Sequence, residues 1–238
     1  MATSVALGLG NQDDSALTAY RSGRYEEAIM AFQRKIESGQ DIPHDHRDLF
    51  RALFEVGRYM EAEEVARGFI AKHPASPDLH NSLGELLWAT GHLDEAEIAF
   101  KEASSGRAND WLTAELNLGI AAFERGRRTE AMQRFDRFIG FYNNGEATTS
   151  GDLTAVGIAC QYLGISDSTL YQDALKAFDD AVAADPNDLR PRILTGNLFL
   201  EKYDSGNAAT ELGAVLQINP DHPQALLSMA RRMRFDGD

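Results

Sequence analysis

Apolar side chains recur along this chain every three or four positions, in short stretches on either side of glycine-containing turns. One pair of stretches flanks Gly91 and carries its apolar residues at Leu83, Leu86, Leu87 and Trp88 and then at Ala96, Ala99, Phe100 and Ala103. Residues three and four apart share one face of a helix, whereas strands alternate every second residue. The pattern therefore predicts amphipathic helices that are joined in pairs by tight turns.

A short motif, glycine followed five residues later by alanine, repeats four times with a nearly constant period. Its copies span residues 23–28, 57–62, 91–96 and 126–131, so that the glycines step by 34, 34 and 35 residues. A fixed period of this length indicates stacked supersecondary units. The glycine stands where a helix must end in a left-handed backbone conformation, which glycine adopts without a Cβ penalty.

The second helix of each unit is predicted to cross the first one closely at the motif alanine, where a larger side chain would separate them. An aromatic residue follows four positions later in three units, at Phe32, Phe100 and Phe135. It falls on the same helix face, and we expect it to fill the gap between neighbouring hairpins. Ala66 takes this place in the second unit, which predicts a thinner contact there.

The C-terminal half repeats less regularly. A fifth unit pairs the helix around Gly157 with the one around Ala174, with about five inserted residues near 164–169; a sixth follows, and a seventh begins near Pro223. The polar stretch 143–151 reads as a loop. It is either a joint between two sub-arrays or a longer surface loop without a role. We expect a poorly ordered N-terminus over 1–10, four hairpins over 11–142, the joint over 143–151, and two hairpins plus an incomplete unit over 152–238.

These residues resemble the tetratricopeptide repeat family, and the best single match spans residues 78–108. The match rests on Gly84, Gly91, Ala96, Phe100 and Ala103 at the family's spacing. The resemblance implies an all-α fold, a right-handed superhelix or α-solenoid of about six helix-turn-helix hairpins plus a terminal helix. It also implies a concave groove, lined by the first helices, that binds a peptide or helix of a partner.

The sequence departs from the family at a few positions. Phe50 stands where the family prefers Gly, Ala or Ser, Arg128 where an aromatic residue or Leu is usual, and Thr169 where the fifth unit's turn glycine is expected. The clamp by which some members hold a C-terminal carboxylate has no counterpart here, and Glu85 would repel a carboxylate. The last repeats loosely resemble those of bacterial multidomain proteins, which favours a larger bacterial parent.

Several side chains are candidates for contact with a partner in the groove. Four aromatic residues share one offset, three positions before their unit's glycine: Tyr20, Phe54, Trp88 and Phe123. They either pack within their own hairpins or form an exposed stripe that docks apolar side chains. The polar candidates are Arg47, Arg51, Asn81, Glu85, Asn117 and Asn197. The arginines either contact acidic groups of a partner or are solvated surface charges.

The net charge of −14 disfavours nucleic acid and favours a protein or peptide partner with basic character. No apolar run approaches the roughly 18 residues of a membrane span, so no membrane contact is expected. The single cysteine, Cys160, fits a reducing compartment, and the N-terminus lacks the charged start of a secretory signal. The compartment stays open, with the cytoplasm favoured.

Catalytic and cofactor motifs are absent from the sequence, which predicts a non-catalytic scaffold without cofactor or metal. The one close histidine pair, His44 and His46, has no third ligand nearby and reads as a loop. Met229, Met233 and Phe235 lie on the unfinished last helix. They suggest a second function, in which the array packs on its own parent chain or self-associates through this helix.

Overall fold

The computed structural model describes residues 9–39, 42–105 and 111–236, with side chains described from Ser15 to Arg234. These residues form thirteen α-helices and no strand. In chain order the helices are α1 (Leu9–Arg21), α2 (Tyr25–Glu37), α3 (Pro43–Glu55), α4 (Tyr59–Lys72), α5 (Pro77–Ala89), α6 (Leu93–Ser104), α7 (Trp111–Glu124), α8 (Arg128–Asn143), α9 (Ser150–Leu163), α10 (Leu170–Ala184), α11 (Arg190–Glu201), α12 (Ser205–Ile218) and α13 (Pro223–Asp236).

Consecutive helices pair into six hairpins, numbered one to six from α1–α2 to α11–α12, and α13 follows the last of them. From α3 onward each first helix also contacts the next first helix, whereas the second helices do not contact one another to a comparable extent within the described residues. The first helices therefore form the tighter, inner layer and the second helices the outer one. The prediction of an all-α solenoid with about six hairpins and a terminal helix is confirmed.

Five helices end in the same glycine cap, which explains the repeated glycine. In hairpin two the amide of Gly57 donates to the carbonyl of Phe54 (3.0 Å) and the amide of Arg58 donates to the carbonyl of Leu53 (2.9 Å). The φ angle of +75° at Gly57 lies in the left-handed region that glycine tolerates best. Hairpin six makes the same turn with Tyr203, whose φ of +63° is the one positive value at a described residue other than glycine.

Each hairpin is held at its crossing by one small and one large side chain, sixteen residues apart except in hairpin five. In hairpin three a Cβ built on Gly84 would lie 2.5 Å from the ring of Phe100, and in hairpin four one on Gly119 would lie 2.6 Å from Phe135. Each ring thus packs within its own hairpin, where the facing glycine leaves the space for it. The expectation that the ring fills the gap between hairpins is also met at Phe135, which stacks on Tyr162 of hairpin five with the ring centroids 4.7 Å apart.

In hairpin two the large side chain lies on the first helix and the small one on the second. Phe50 stands where the others carry glycine or alanine, and Ala66 stands where they carry a large residue. Both are buried, at 2% and 0% exposure, within one core cluster. The two departures that the sequence showed separately thus compensate each other, since the total volume at the crossing is kept.

The polar stretch 143–151 does not interrupt the core. Helix α8 ends at Asn143 in another glycine cap, and α9 begins at Ser150 with the Thr149 hydroxyl accepting the amide of Asp152. Buried side chains on both sides belong to one cluster that runs from Leu112 to Leu198. The division into two sub-arrays remains a prediction.

The expected poorly ordered N-terminus over 1–10 falls mostly on residues 1–8, which lie outside the described residues, while residues 9 and 10 belong to α1. The inserted turn of hairpin five occupies residues 164–169, between α9 and α10, where the spacing predicted it. No helix in the described part of the chain combines the length and apolarity that crossing a bilayer requires.

The array curls far enough for its first hairpin to touch its last turns. The side-chain amide of Asn219 donates to the Tyr25 hydroxyl (3.0 Å), and Arg21 lies 3.9 Å from the carboxylate of Asp185. Asn219 is buried and sits over Gly23, where an added Cβ would lie 2.3 Å from its Oδ1 atom. The inner face is therefore bounded by residues from both ends of the array.

Candidate protein-binding groove

The inner face is lined by the first helices, and the aromatic column lies in their last turns. Tyr20, Phe54, Trp88 and Phe123 are all half-buried and pack against the core. Phe54 contacts Phe50 and Tyr59 of its own hairpin, at ring-centroid distances of 6.0 and 5.2 Å. The rings thus pack against the core and retain partial exposure, and the docking of a partner's apolar side chains on them stays a prediction.

The polar candidates at the centre of the groove form one network. The amide nitrogen of Asn117 donates to Oδ1 of Asn81 (3.0 Å) and to Oε1 of Glu85 (3.2 Å). Asn81 donates to the same Glu85 oxygen (3.1 Å), and all three side chains are half-buried. The network joins α5 to α7 and places one carboxylate, without a basic partner in the described residues, on the inner face.

The two arginine candidates differ from each other in their surroundings. Arg47 bonds to Asp48 (3.2 Å) and to Asp78 on the next first helix (3.3 Å), so its charge is already balanced within the array. Arg51 is exposed, and its charge counteracts the rise in the pKa of Glu55. Neither arginine makes this end of the groove basic, because the nearby carboxylates offset both.

Asn197 lines a pocket of about 350 Å³ between α11 and α13, together with Leu200, Glu201 and Arg231. Leu200 lies three residues before the turn residue Tyr203, which makes it the sixth hairpin's counterpart of the aromatic column. Sequence reasoning missed this position because tyrosine replaces the glycine that marks the turn elsewhere.

Glutamate follows the column residue in three hairpins, at Glu55, Glu124 and Glu201. Burial raises the pKa of the Glu55 carboxyl, against the effect of Arg51. Burial likewise raises the pKa of the Tyr162 hydroxyl, and the charge of Glu124 raises it further. Glu55, Glu124 and Glu201 were not identified from sequence, although their fixed offset was a usable signal. Together with Glu85, which was a sequence candidate and stands at a different offset, we call them the acidic column.

The terminal helix α13 exposes several apolar side chains. Met233 is 47% exposed, Leu226 is 45% exposed and Leu227 is 54% exposed. Met229 is half-buried and its sulfur accepts a hydrogen bond from Arg232. The side chain of Phe235 lies outside the described residues.

Other reactive side chains are absorbed into packing. His44 and His46 lie in helix α3 rather than in the expected loop. The ring of His46 packs at a tilt against Phe69, with the ring centroids 4.3 Å apart, whereas His44 is exposed. Burial raises the pKa of the Cys160 thiol to about 11, so it stays protonated near neutral pH. Across the described ranges no group of three or more His, Cys, Asp or Glu side chains has a metal-binding arrangement.

Two family models match the chain, both described as tetratricopeptide repeat. One matches residues 47–110 and the other residues 113–143. No curated protein matches the chain.

Solved structures share the fold at low sequence identity. TTC0263, a tetratricopeptide repeat protein of Thermus thermophilus, is 20% identical, with a TM-score of 0.57 over 80% of this chain and 98% of its own. Cut9–Hcn1, a hetero-tetramer of the APC/C, has a TM-score of 0.53 at 16% identity over 88% and 40% of the two chains. PilF of Pseudomonas aeruginosa has a TM-score of 0.51 at 16% identity over 94% and 99%.

Proposed function

The chain belongs to the tetratricopeptide repeat family, and from that premise we propose that it is a non-catalytic scaffold that binds a partner protein in its concave groove. The fold is one that presents a long concave surface made of rigid elements, which suits recognition of an extended peptide or a helix. The observation that carries the proposal is the acidic column, which lies beside the half-exposed aromatic column along the inner face.

The chemistry of this face defines the partner segment. Half-exposed aromatic rings favour contact with apolar side chains, and a few such anchor residues carry much of the binding energy at interfaces. Several carboxylates along the inner face favour Lys or Arg and steer a basic segment towards the groove. We therefore propose that the partner contributes a segment in which apolar and basic residues alternate along its length.

The same residues oppose the carboxylate clamp that other members use. Glu85 is fixed by two asparagine amides at the centre of the groove, so a partner carboxylate placed there would meet a like charge. Arg47 is already paired with Asp48 and Asp78. The proposed partner segment is therefore bound through its side chains rather than through a terminal carboxylate.

A selection from a random peptide library, displayed on phage, tests the proposal. The wild-type chain is expected to enrich peptides that carry apolar and basic residues. The triple variant Glu85→Gln, Glu124→Gln, Glu201→Gln keeps the shape of the groove and removes three charges, and we expect it to bind these peptides at least tenfold more weakly. Gln133→Glu on the outer face of α8 is the control and should leave binding unchanged, because Gln133 is exposed on a second helix. Enrichment that survives the triple variant at full strength would refute the role of the acidic column.

The exposed side of α13 supports a second candidate function. Leu226, Leu227 and Met233 are each close to half exposed, and such a group of exposed apolar side chains is typical of an interaction surface. This candidate is the packing of α13 on another surface, either of a longer parent chain or of a second copy.

A further inference from the structure

An apolar cleft lies on the outer face of the array, away from the concave groove. It has a volume of about 490 Å³ and opens between α4 and α6, with α5 as its floor. Ile70, Leu83, Leu87 and Ile98 line it, and Ile98 at its edge is 60% exposed. This volume lies in the usual range of binding pockets, about 300–1,000 Å³.

The rim of the cleft is acidic. Arg67 is paired with Glu63 (2.7 Å) and Glu95 (3.5 Å), so its charge is neutralised. Glu102 lines the same cleft and has no basic partner among the described residues. An occupant would therefore gain from apolar side chains towards the floor and from a basic residue at the rim.

Helix α13 has this chemistry. Its exposed residues form two adjacent stripes, one with Leu226, Ala230 and Met233 and the other with Leu227, Arg231 and Arg234. The spacing of four and three residues places each stripe along one side of the helix, as in helices that dock into apolar grooves. The 14 residues of α13 span about 21 Å, close to the length of the 13-residue helix α5 that forms the floor of the cleft.

We infer that α13 of one chain docks into the cleft between α4 and α6 of a second copy. This inference rests on the second candidate function above, which supplies the exposed helix. Leucine and methionine side chains of α13 replace water against Ile70, Leu83, Leu87 and Ile98, and an arginine of α13 faces Glu102. Because the donor and the acceptor are different surfaces, the contact is heterologous and can join more than two copies.

One helix in a groove buries less than a standard interface of roughly 1,600 Å², so the association is weak. Sedimentation velocity of the full chain at concentrations from about 10 to about 500 µM detects a weak association of this kind. We expect the weight-average sedimentation coefficient to rise with concentration. A chain that stays monomeric throughout overturns the inference and the self-association candidate together.

Matched substitutions identify the two surfaces. Ile98→Glu in the cleft and Leu227→Glu on α13 should each weaken self-association at least tenfold, since both place a charge in the apolar contact. The control is Met30→Glu, because Met30 is 52% exposed on α2 and stands seven residues after its turn glycine, as Ile98 does. Loss of association with Leu227→Glu but not with Ile98→Glu would keep the role of α13 and refute the cleft as its receptor.

A charge exchange tests the pairing directly. Glu102→Lys and Arg234→Glu should each weaken association several-fold, because like charges then face each other at the rim. An equimolar mixture of the two variants pairs the altered helix with the altered cleft and should associate more strongly than either variant alone. Equal weakness of the mixture and of the separate variants would contradict this arrangement.

Discussion

Hairpins two and three fill the same helix crossing in opposite ways. In hairpin three Gly84 leaves the space and Phe100 on the second helix fills it, whereas in hairpin two Phe50 on the first helix fills it and Ala66 leaves it. Phe50, Ala66 and Phe100 are all buried. The repeat therefore preserves the volume at the crossing, and either helix can supply it.

The largest expected effect comes from breaking the exchange in hairpin two. Phe50→Ala should cost about 3–5 kcal/mol in the free energy of unfolding, because it leaves a cavity that Ala66 cannot fill. Ala66→Phe alone should cost about 1–3 kcal/mol through overpacking. The double variant recreates the Ala16–Phe32 arrangement of hairpin one and should recover most of the loss. Urea denaturation measures all three, and strictly additive losses would show that the two positions do not share one space.

A smaller effect on stability is expected from alanine in the turns of hairpins one and two. Gly23 and Gly57 have nearly the same φ, +80° and +75°, so alanine at either position should cost about 1–2 kcal/mol in unfolding free energy. At Gly23 the added Cβ also meets Asn219, whereas at Gly57 nothing lies within 4 Å. Gly23→Ala should therefore cost about 1 kcal/mol more, through the lost hydrogen bond between Asn219 and Tyr25.

The background variant Asn219→Ala is the control for this comparison. Thermal denaturation in that background should give equal losses for Gly23→Ala and Gly57→Ala. An excess loss at Gly23 that persists without the Asn219 side chain would contradict a contact between the two ends of the array.

Hairpin six departs from the glycine turns at Tyr203. Tyr203 takes a left-handed conformation at 77% exposure, in the turn where the first four hairpins use glycine. Tyr203→Gly should raise the stability by about 0.5–1 kcal/mol, since relief of the backbone strain exceeds the entropy that glycine adds to the unfolded chain. A higher midpoint of thermal unfolding checks this, and a lower one would show that the tyrosine side chain contributes more than its backbone costs.

The smallest effect concerns the ion pairs that join hairpins three and four. Burial opposes the ionisation of Glu97, but hydrogen bonds from Arg127 and Arg125 outweigh it and hold the pKa of the carboxyl below its usual value. The resulting stability is present above the unfolded-state pKa, about 4.3, and is lost as the pH falls through the lower folded-state pKa. Both arginines are more than one third exposed, so the contribution should be at most about 1 kcal/mol.

Glu97→Gln isolates this contribution. The free energy of unfolding of the variant should lie below that of the wild type at pH 7, and the difference should shrink towards pH 3. A difference that does not change over this interval would mean that the arginines stabilise the native state without the charge of Glu97.

Much of the fold follows from local pattern. The spacing of Gly23, Gly57, Gly91 and Gly126 sets the hairpins, because each glycine occupies a left-handed cap that few other residues tolerate. The insertion before Leu170 and the starts of the later helices follow from the same register. The clustering of Asn81, Glu85 and Asn117 was within reach, since all three belong to predicted first helices.

Other features depend on relations that no single repeat contains. The contact between Tyr25 and Asn219 joins residues 194 positions apart, and it arises because small rotations between hairpins add up along the array. The pairing of Arg47 with Asp78 required the placement of one first helix against the next. Leu200 was hidden because Tyr203 replaces the glycine that defines the register.

The central claim is that a partner segment lies along the inner face of the array, and site-specific photo-crosslinking tests it most directly. The photoreactive residue benzoylphenylalanine replaces either Phe123 on the inner side of hairpin four or Gln133 on its outer side, with library-selected peptides as the probe. We predict crosslinks to the peptide from position 123 and none from position 133, because the groove is formed by first helices. Crosslinks from position 133 with none from position 123 would contradict the account.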